Sequence, residues 1–118
     1  MARYFRETAV GFVGEEHYRQ IAHRTGSTDM GDLSQVMPVL HPYIGGAVGS
    51  GHGADFAIAD TSLAYVTLAK SLAAMAVDML SDGAQGAREV LSQARPPMTR
   101  QAFLTFQRGL ARQETWSA

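Results

Sequence analysis

The chain contains no cysteine, which excludes a disulfide framework, a thiolate metal site and a cysteine nucleophile. Any metal would therefore be held by nitrogen and oxygen ligands. The chain also has almost no excess of one charge, because the formal net charge is -1, and its basic residues form no run. The sequence thus shows no basic patch of the kind that binds nucleic acid, and we expect no nucleic-acid partner.

Targeting and membrane signals are also weak. The N-terminus has no apolar stretch after its charges, so it does not resemble a secretory signal. The longest apolar segment, 63–80, approaches the length of a membrane span, but Lys70 and Asp78 interrupt it and much of it is alanine. We therefore predict a buried helix of a cytoplasmic protein and no membrane partner. The 118 residues, 46% hydrophobic and 18% charged, indicate one domain with one core.

Apolar periodicity predicts three to four helices. Residues 3–13 form a short one that Gly14 ends, and 84–94 form a weaker one. The longest runs from about 61 to 80, capped by Asp60 or Thr61 and ended by "SDG". Its polar positions form one narrow stripe, so we expect it to be buried over most of its circumference. A last helix, striped by Phe103, Phe106 and Leu110 (103–110), follows a Thr99 cap.

Strand signals are fewer. "GSTDMGDLS" is dense in turn-forming residues. "QVMPVLHPYIG" predicts an edge or interrupted strand, because Pro38 and Pro42 remove ladder donors. "EEHYRQIAHR" is compatible with a helical turn or two or with an edge strand. The expected fold class is α/β, helix-rich, with one or two short strands.

Two of the four histidines flank the glycine-rich stretch "HPYIGGAVGSGHGADF". His52, between Gly51 and Gly53, is either a metal ligand or proton shuttle on an open loop or an exposed histidine on a turn. His41 is held extended by Pro42, and it either contacts substrate or packs at a strand end.

The remaining candidate side chains lie before this stretch. Asp29 and Asp32 either accept backbone N–H groups in their turn or orient a metal-binding histidine from the second shell. His17 and His23 share no helical face, so we predict that both are surface residues.

The order of these features resembles a known family. "GSTDMGDLSQVMPVLHPYIGGAVGSGHGADFAIAD" followed by "AYVTLAKSLAAMAVDML" is similar to the C-terminal end of the zinc-dependent amidohydrolases and peptidases that include aminoacylase, carboxypeptidase G and aminobenzoyl-glutamate hydrolase. The likeness is greatest to the aminobenzoyl-glutamate-hydrolase-like branch. There, a "GSTD-GD-S" turn leads into a proline-broken strand, a histidine-bearing loop and a long alanine-rich helix. The resemblance covers the chain from about residue 10 to residue 82.

The resemblance implies a catalytic α/β domain built from two chain segments, with a lid or dimerisation domain inserted between them. The first segment supplies most ligands of two metal ions and the glutamate base, and the second supplies a last histidine. By position that ligand is His52, with His41, Gly51 and Gly53 on the substrate side. Asp29 and Asp32 would lie beneath the metal loop as second-shell residues.

The chain departs from the family pattern in lacking an H-x-D or C-x-H ligand motif, a catalytic glutamate pair and a lid domain. We therefore expect residues 1–118 to be a single partial domain with no catalytic residue of its own, inactive alone and without tightly bound zinc. Its partners would be the missing first segment or another chain, a second copy of itself, and, in the complete zinc enzyme, a small amide such as an N-acyl amino acid or aminobenzoyl-glutamate. The alternative is a non-catalytic binding or assembly module that associates through apolar helix faces.

Overall fold

The computed structural model describes residues 1–21 and 26–116 as helices with one small sheet. In chain order these are α1 (Ala2–Val13), a 3₁₀ turn (Glu15–His17), α2 (Asp29–Ser34), β1 (Ala47–Val48), β2 (Ala57–Ile58), a π-helical turn (Ser62–Thr67), α3 (Leu68–Gln93) and α4 (Arg100–Gly109). The two strands pair antiparallel, with Ala47 opposite Ile58. The predicted helix-rich chain with short strands and one long helix is confirmed. His23 lies outside the described residues, and His17 is exposed.

The predicted helix ends are formed as the capping residues indicate. Gly14 ends α1 with a φ of 83°, and its N–H donates to the carbonyl of Val10. The carboxylate of Asp60 accepts from the N–H of Leu63 at 2.8 Å, at the start of the long helix. The hydroxyl of Thr99 accepts from an N–H in the first turn of α4.

The long helix is broken at the predicted position. Ser81 has extended ψ, and Asp82, Gly83 and Ala84 have φ of 49°, 69° and 62°, so the chain reverses there. We call 62–80 the first arm and 85–93 the second arm. A Cβ built on Gly86 would lie 3.0 Å from the Cα of Met79, whereas residues seven apart in a continuous helix are separated by about 10 Å. The two arms therefore form a helical hairpin with a close contact at its base.

The core lies between α1 and the first arm. Phe5 and Ala9 of α1 pack against Met75. The hydroxyl of Thr8 lies 3.2 Å from the backbone oxygen of Ser71, which is only 2% exposed. The partly buried residues around this cluster are Tyr4, Tyr18, Leu40, Leu68 and Met79. One face of the first arm is thus covered by α1.

A surface cluster joins the second arm to α1. Glu89 accepts from the guanidinium of Arg3 at 3.1 Å and from the hydroxyl of Tyr4 at 2.9 Å. The pKa of Glu89 is lowered below its usual value, mainly by the hydrogen bond from Tyr4 and secondly by the charge of Arg3. The same hydrogen bond is the main reason that the pKa of Tyr4 is raised.

The prediction that the long helix is buried over most of its circumference is wrong for this chain. With 100° per residue, the side chains on the face opposite Ala64, Ser71 and Met75 meet no other element that covers them. Val77 and Leu80 are 63% and 65% exposed. Val66, 47% exposed, lies on the same face. Tyr65 and Leu72 are also exposed, on the flank about 80–100° from Ala64. The predicted polar stripe consists of Thr67, Lys70, Ser71 and Asp78, but Ser71 lies in the contact with α1.

This helix also meets the length and composition requirements of a membrane span over Ser62–Gln93, with 17% of the apolar window buried. The core helix of a soluble protein meets the same requirements.

The strand predictions require correction. "GSTDMGDLS" is not a turn but contains α2, because the Thr28 hydroxyl accepts from the N–H of Met30 and caps the helix. Among the described residues, 35–45 contain no strand, since the prolines that we expected to interrupt one leave too few ladder donors. The strands are found instead at Ala47–Val48, inside the glycine-rich stretch, and at Ala57–Ile58, directly after it. "EEHYRQIAHR" begins as the 3₁₀ turn and becomes extended at Tyr18.

The chain exposes more surface than a closed domain of its size. Its accessible surface is 9315 Å², whereas a monomer of 12.7 kDa is expected to expose about 6,200 Å². Its radius of gyration is 18.5 Å, against about 13.5 Å for a compact domain of this length. The accessible surface therefore exceeds that of a compact monomeric domain of the same mass by roughly 3,000 Å².

Two glycine substitutions test the hairpin. In Gly86→Ala, the new methyl group meets the Met79 backbone and the Tyr4 ring at 3.0 Å, so the clash should cancel or outweigh the gain in helix propensity. Gly11→Ala is the matched control, since its Cβ meets nothing within 4 Å and it should stabilise α1 by about 0.5–1 kcal/mol. Urea denaturation measures both free energies of unfolding. An equal gain from the two substitutions would contradict the close contact between the arms.

Candidate functional site

A tight β-hairpin carries His52. The carbonyl of Gly46 accepts from the N–H groups of Ala59 and Asp60 at 2.8 and 2.9 Å, which fastens the base of the hairpin to the start of the long helix. Gly46 has a φ of 100°, and a Cβ there would lie 2.6 Å from the carbonyl of Asp60. The hairpin can therefore approach the helix this closely only with glycine at its base.

The loop between the strands is ordered by its own polar groups. The carboxylate of Asp55 accepts from the N–H of Ser50, with both oxygens at 3.2 Å. The N–H of Gly53 donates to the carbonyl of Ser50 at 2.8 Å. Gly49 has a φ of 82°, and a Cβ there would lie 2.2 Å from the carbonyl of Asp55. These contacts close a compact turn, and they occupy the carboxylate nearest His52 in sequence.

His52 lies at the tip of this turn, with an exposed side chain and a φ of 64°. Left-handed backbone is unfavourable for residues with a Cβ, by roughly 1–2 kcal/mol, and is usually left to glycine. Among the described residues, no hydrogen bond uses its imidazole ring. The sequence therefore maintains a solvent-facing imidazole at a position that favours glycine on backbone grounds.

The glycines on either side of His52 differ. A Cβ on Gly53 would lie 2.4 Å from the carboxylate oxygen of Asp55, so that glycine is required by the turn itself. A Cβ on Gly51 meets nothing within 4 Å. Gly51 is the one of the two predicted substrate-side glycines that the loop geometry does not require.

α2 lies beside His41 rather than His52. The Oγ1 of Thr28, which caps α2, is 3.5 Å from the Nδ1 of His41, and the His41 ring stacks on that of Tyr43 at 5.3 Å. Asp29 and Asp32 occupy the exposed first turn of α2. Within the described ranges, no hydrogen bond or ion pair joins either carboxylate to His52, so their second-shell role stays a prediction.

The described residues do not contain a group of three or more His, Asp or Glu side chains that could hold a metal ion. A zinc site needs three or four protein ligands, so His52 fits the role of one ligand but does not form a site with its neighbours in this chain.

A groove next to His41 was missed by the sequence analysis. It has a volume of about 650 Å³ and lies between α1 and the segments 18–21 and 40–43. Three arginines line it, namely Arg3, Arg6 and Arg19, together with His41. The available signal was the spacing of Arg3 and Arg6, which places both on one face of α1.

Comparisons of the chain with protein-family models, with curated proteins and with solved structures found no match in any of the three.

A pair of substitutions separates the structural glycines from the candidate functional one. Gly49→Ala places a Cβ against the Asp55 carbonyl at positive φ, so it should destabilise the chain by about 1 kcal/mol or more. Gly51→Ala should leave the free energy of unfolding unchanged or slightly raised. Thermal denaturation gives the first readout, and amide exchange at Ala59 reports the base of the hairpin. Equal losses in both variants would show that the turn is not ordered as described.

Proposed function

We propose that this chain is the C-terminal part of the catalytic domain of a zinc-dependent amidohydrolase, an α/β metallopeptidase-type domain completed by another segment or chain. In the complete enzyme, His52 would be one ligand of a divalent metal ion. His41, Gly51 and Gly53 would border the substrate, a small amide such as an N-acyl amino acid. Asp29 and Asp32 would act from the second shell, and the compartment we propose is the cytoplasm.

The observation that carries the proposal is the presentation of His52. Its ring is exposed at the tip of an ordered hairpin, and its backbone has a left-handed φ of 64°. An imidazole held in this way can reach a metal whose other ligands belong to a different part of the protein.

The metal would be an electrophile that activates water for attack on the amide carbonyl. This chain's described residues supply neither the remaining ligands nor a carboxylate base beside His52. They position one nitrogen ligand and border the site with small residues, so that substrate can come close to the hairpin.

The uncovered face of the long helix supports the need for a further layer. α1 covers one side of the first arm, and the opposite side exposes the apolar residues Val66, Val77 and Leu80. Helices in α/β domains bury such surfaces against a sheet. Two strands of two residues cannot provide that sheet, since an isolated two-stranded hairpin is itself marginal.

Activity should therefore depend on completing the domain. The 118-residue chain should not hydrolyse N-acyl amino acids or aminobenzoyl-glutamate, with or without added zinc, and it should bind zinc only weakly by calorimetry. Co-expression with the segment encoded directly upstream should produce a hydrolase, and His52→Ala should abolish its activity while His17→Ala, at another exposed histidine, should not. Turnover by the chain alone that disappears in His52→Ala would contradict the partial-domain proposal.

A second candidate function is an assembly module, favoured by the same apolar face. Burial of apolar surface contributes about 25 cal/mol per Å² to the free energy of association. A typical interface buries roughly 800 Å² on each partner, which is less than the excess surface of this chain. In the absence of the other segment, we propose that two or more copies associate through the exposed face of the first arm, together with the apolar side of α4 that carries Phe103, Phe106 and Leu110.

Sedimentation velocity at micromolar concentration should show a dimer or a higher oligomer. Val77→Asp places a charge in the centre of the proposed interface and should shift the chain toward monomer. Phe56→Asp, at a similarly exposed apolar residue of the glycine-rich hairpin, should leave the assembly intact. A monomer that unfolds cooperatively would contradict the assembly proposal, and so would flotation of the wild-type chain with phosphatidylcholine vesicles, which would assign the face to lipid.

A further inference from the structure

We propose that the groove between α1 and the segments 18–21 and 40–43 binds a small organic anion, a carboxylate attached to an aromatic or apolar body. The hairpin that carries His52 contributes no residue to the groove. His41 is shared between the groove and the proposed substrate border, but anion binding itself requires no amide hydrolysis. Its volume of about 650 Å³ lies within the range of small-molecule sites, roughly 300–1,000 Å³.

The formally charged side chains that line the groove are of one sign. They are Arg3, Arg6 and Arg19, and among the described residues no Asp or Glu lines it. In a chain whose net charge is -1, this is a local concentration of cationic groups. Guanidinium groups recognise carboxylates through paired N–H donors in a fixed plane.

The three arginines are not equivalent. Arg3 is paired with Glu89, and Arg6 with Glu15, so much of their charge is compensated. The Nη1 of Arg19 donates to the backbone oxygens of Glu16 and Tyr18, at 2.7 and 3.0 Å. Within the described ranges, no carboxylate lies in ion-pair distance of Arg19. Two backbone bonds therefore fix its guanidinium at the rim of the groove while its charge remains available.

The apolar walls provide the second part of the recognition. Phe5, 7% exposed, belongs to the core and also borders the groove, and Leu40 packs beside it. The ring of Tyr43 is 71% exposed and is held by stacking on His41. Arg6 lies over the ring of Tyr18 at 5.6 Å, which keeps that ring against the groove. A planar apolar ligand can lie among these side chains with its carboxylate at Arg19.

Titration of the full chain with phenylacetate, followed by NMR chemical shifts, tests the site. Saturable shifts are expected at the amides of Tyr18 and Tyr43. Arg19→Gln should weaken binding about tenfold, the loss expected for one charge-assisted contact. Arg108→Gln, at an exposed arginine of α4 outside the groove, should bind like the wild type. Arg19 is exposed, and matching circular dichroism spectra would establish that its variant is folded.

Two further ligands separate charge from shape. Benzyl alcohol keeps the ring without the charge and should bind much more weakly than phenylacetate. Inorganic phosphate keeps charge without the ring and should also bind weakly. Added salt should reduce affinity for phenylacetate but not for benzyl alcohol, and Tyr43→Ala should weaken binding of both.

The proposal is overturned if phenylacetate shows no saturable binding, or if benzyl alcohol or phosphate binds as tightly as phenylacetate. An effect of Arg108→Gln equal to that of Arg19→Gln would also overturn it. These outcomes are independent of whether a completed enzyme hydrolyses amides, since none of them measures turnover or uses His52.

Discussion

The packing of α1 against the first arm of the long helix is the contact on which the rest of the structure depends. Phe5, Ala9 and Met75 form nearly all of the apolar core, and a buried polar contact between Thr8 and Ser71 fixes their register. The hairpin of strands is fastened to the start of the same arm, and the second arm is fastened to α1 through Glu89. Because one contact organises all three, the chain has a defined shape despite its small core.

That contact is also one-sided, which explains where the sequence predicts the structure well and where it does not. Caps and breaks are local, so Gly14, Asp60, Thr99 and the "SDG" break could be read from residue chemistry alone. Burial is not local. The first arm has apolar residues on most of its circumference. Their periodicity does not show which face is covered by other parts of this chain and which face is left exposed.

The candidate site divides in the same way. The glycine-rich stretch predicts an unusual backbone, and the structure provides one, with a left-handed His52 at its tip. The strands within it and directly after it could not be predicted, because alternation over two residues is too short to be a signal. The arginine groove was missed for another reason. Its lining comes from three separate segments, and only their packing brings Arg19 and His41 to the same place.

The two histidines at the ends of the glycine-rich stretch therefore occupy different environments. Among the described residues no hydrogen bond holds the ring of His52, and the bonds that close its turn do not involve the imidazole. His41 is held on both sides, by Thr28 at its Nδ1 and by the ring of Tyr43, and it borders a cationic groove. An imidazole that must complete a metal shell has to reach outward, whereas one that shapes a ligand pocket has to be fixed. The exposed ring of His52 fits the proposed ligand role, and the fixed ring of His41 fits a place beside a bound ligand, whether an amide substrate or an organic anion.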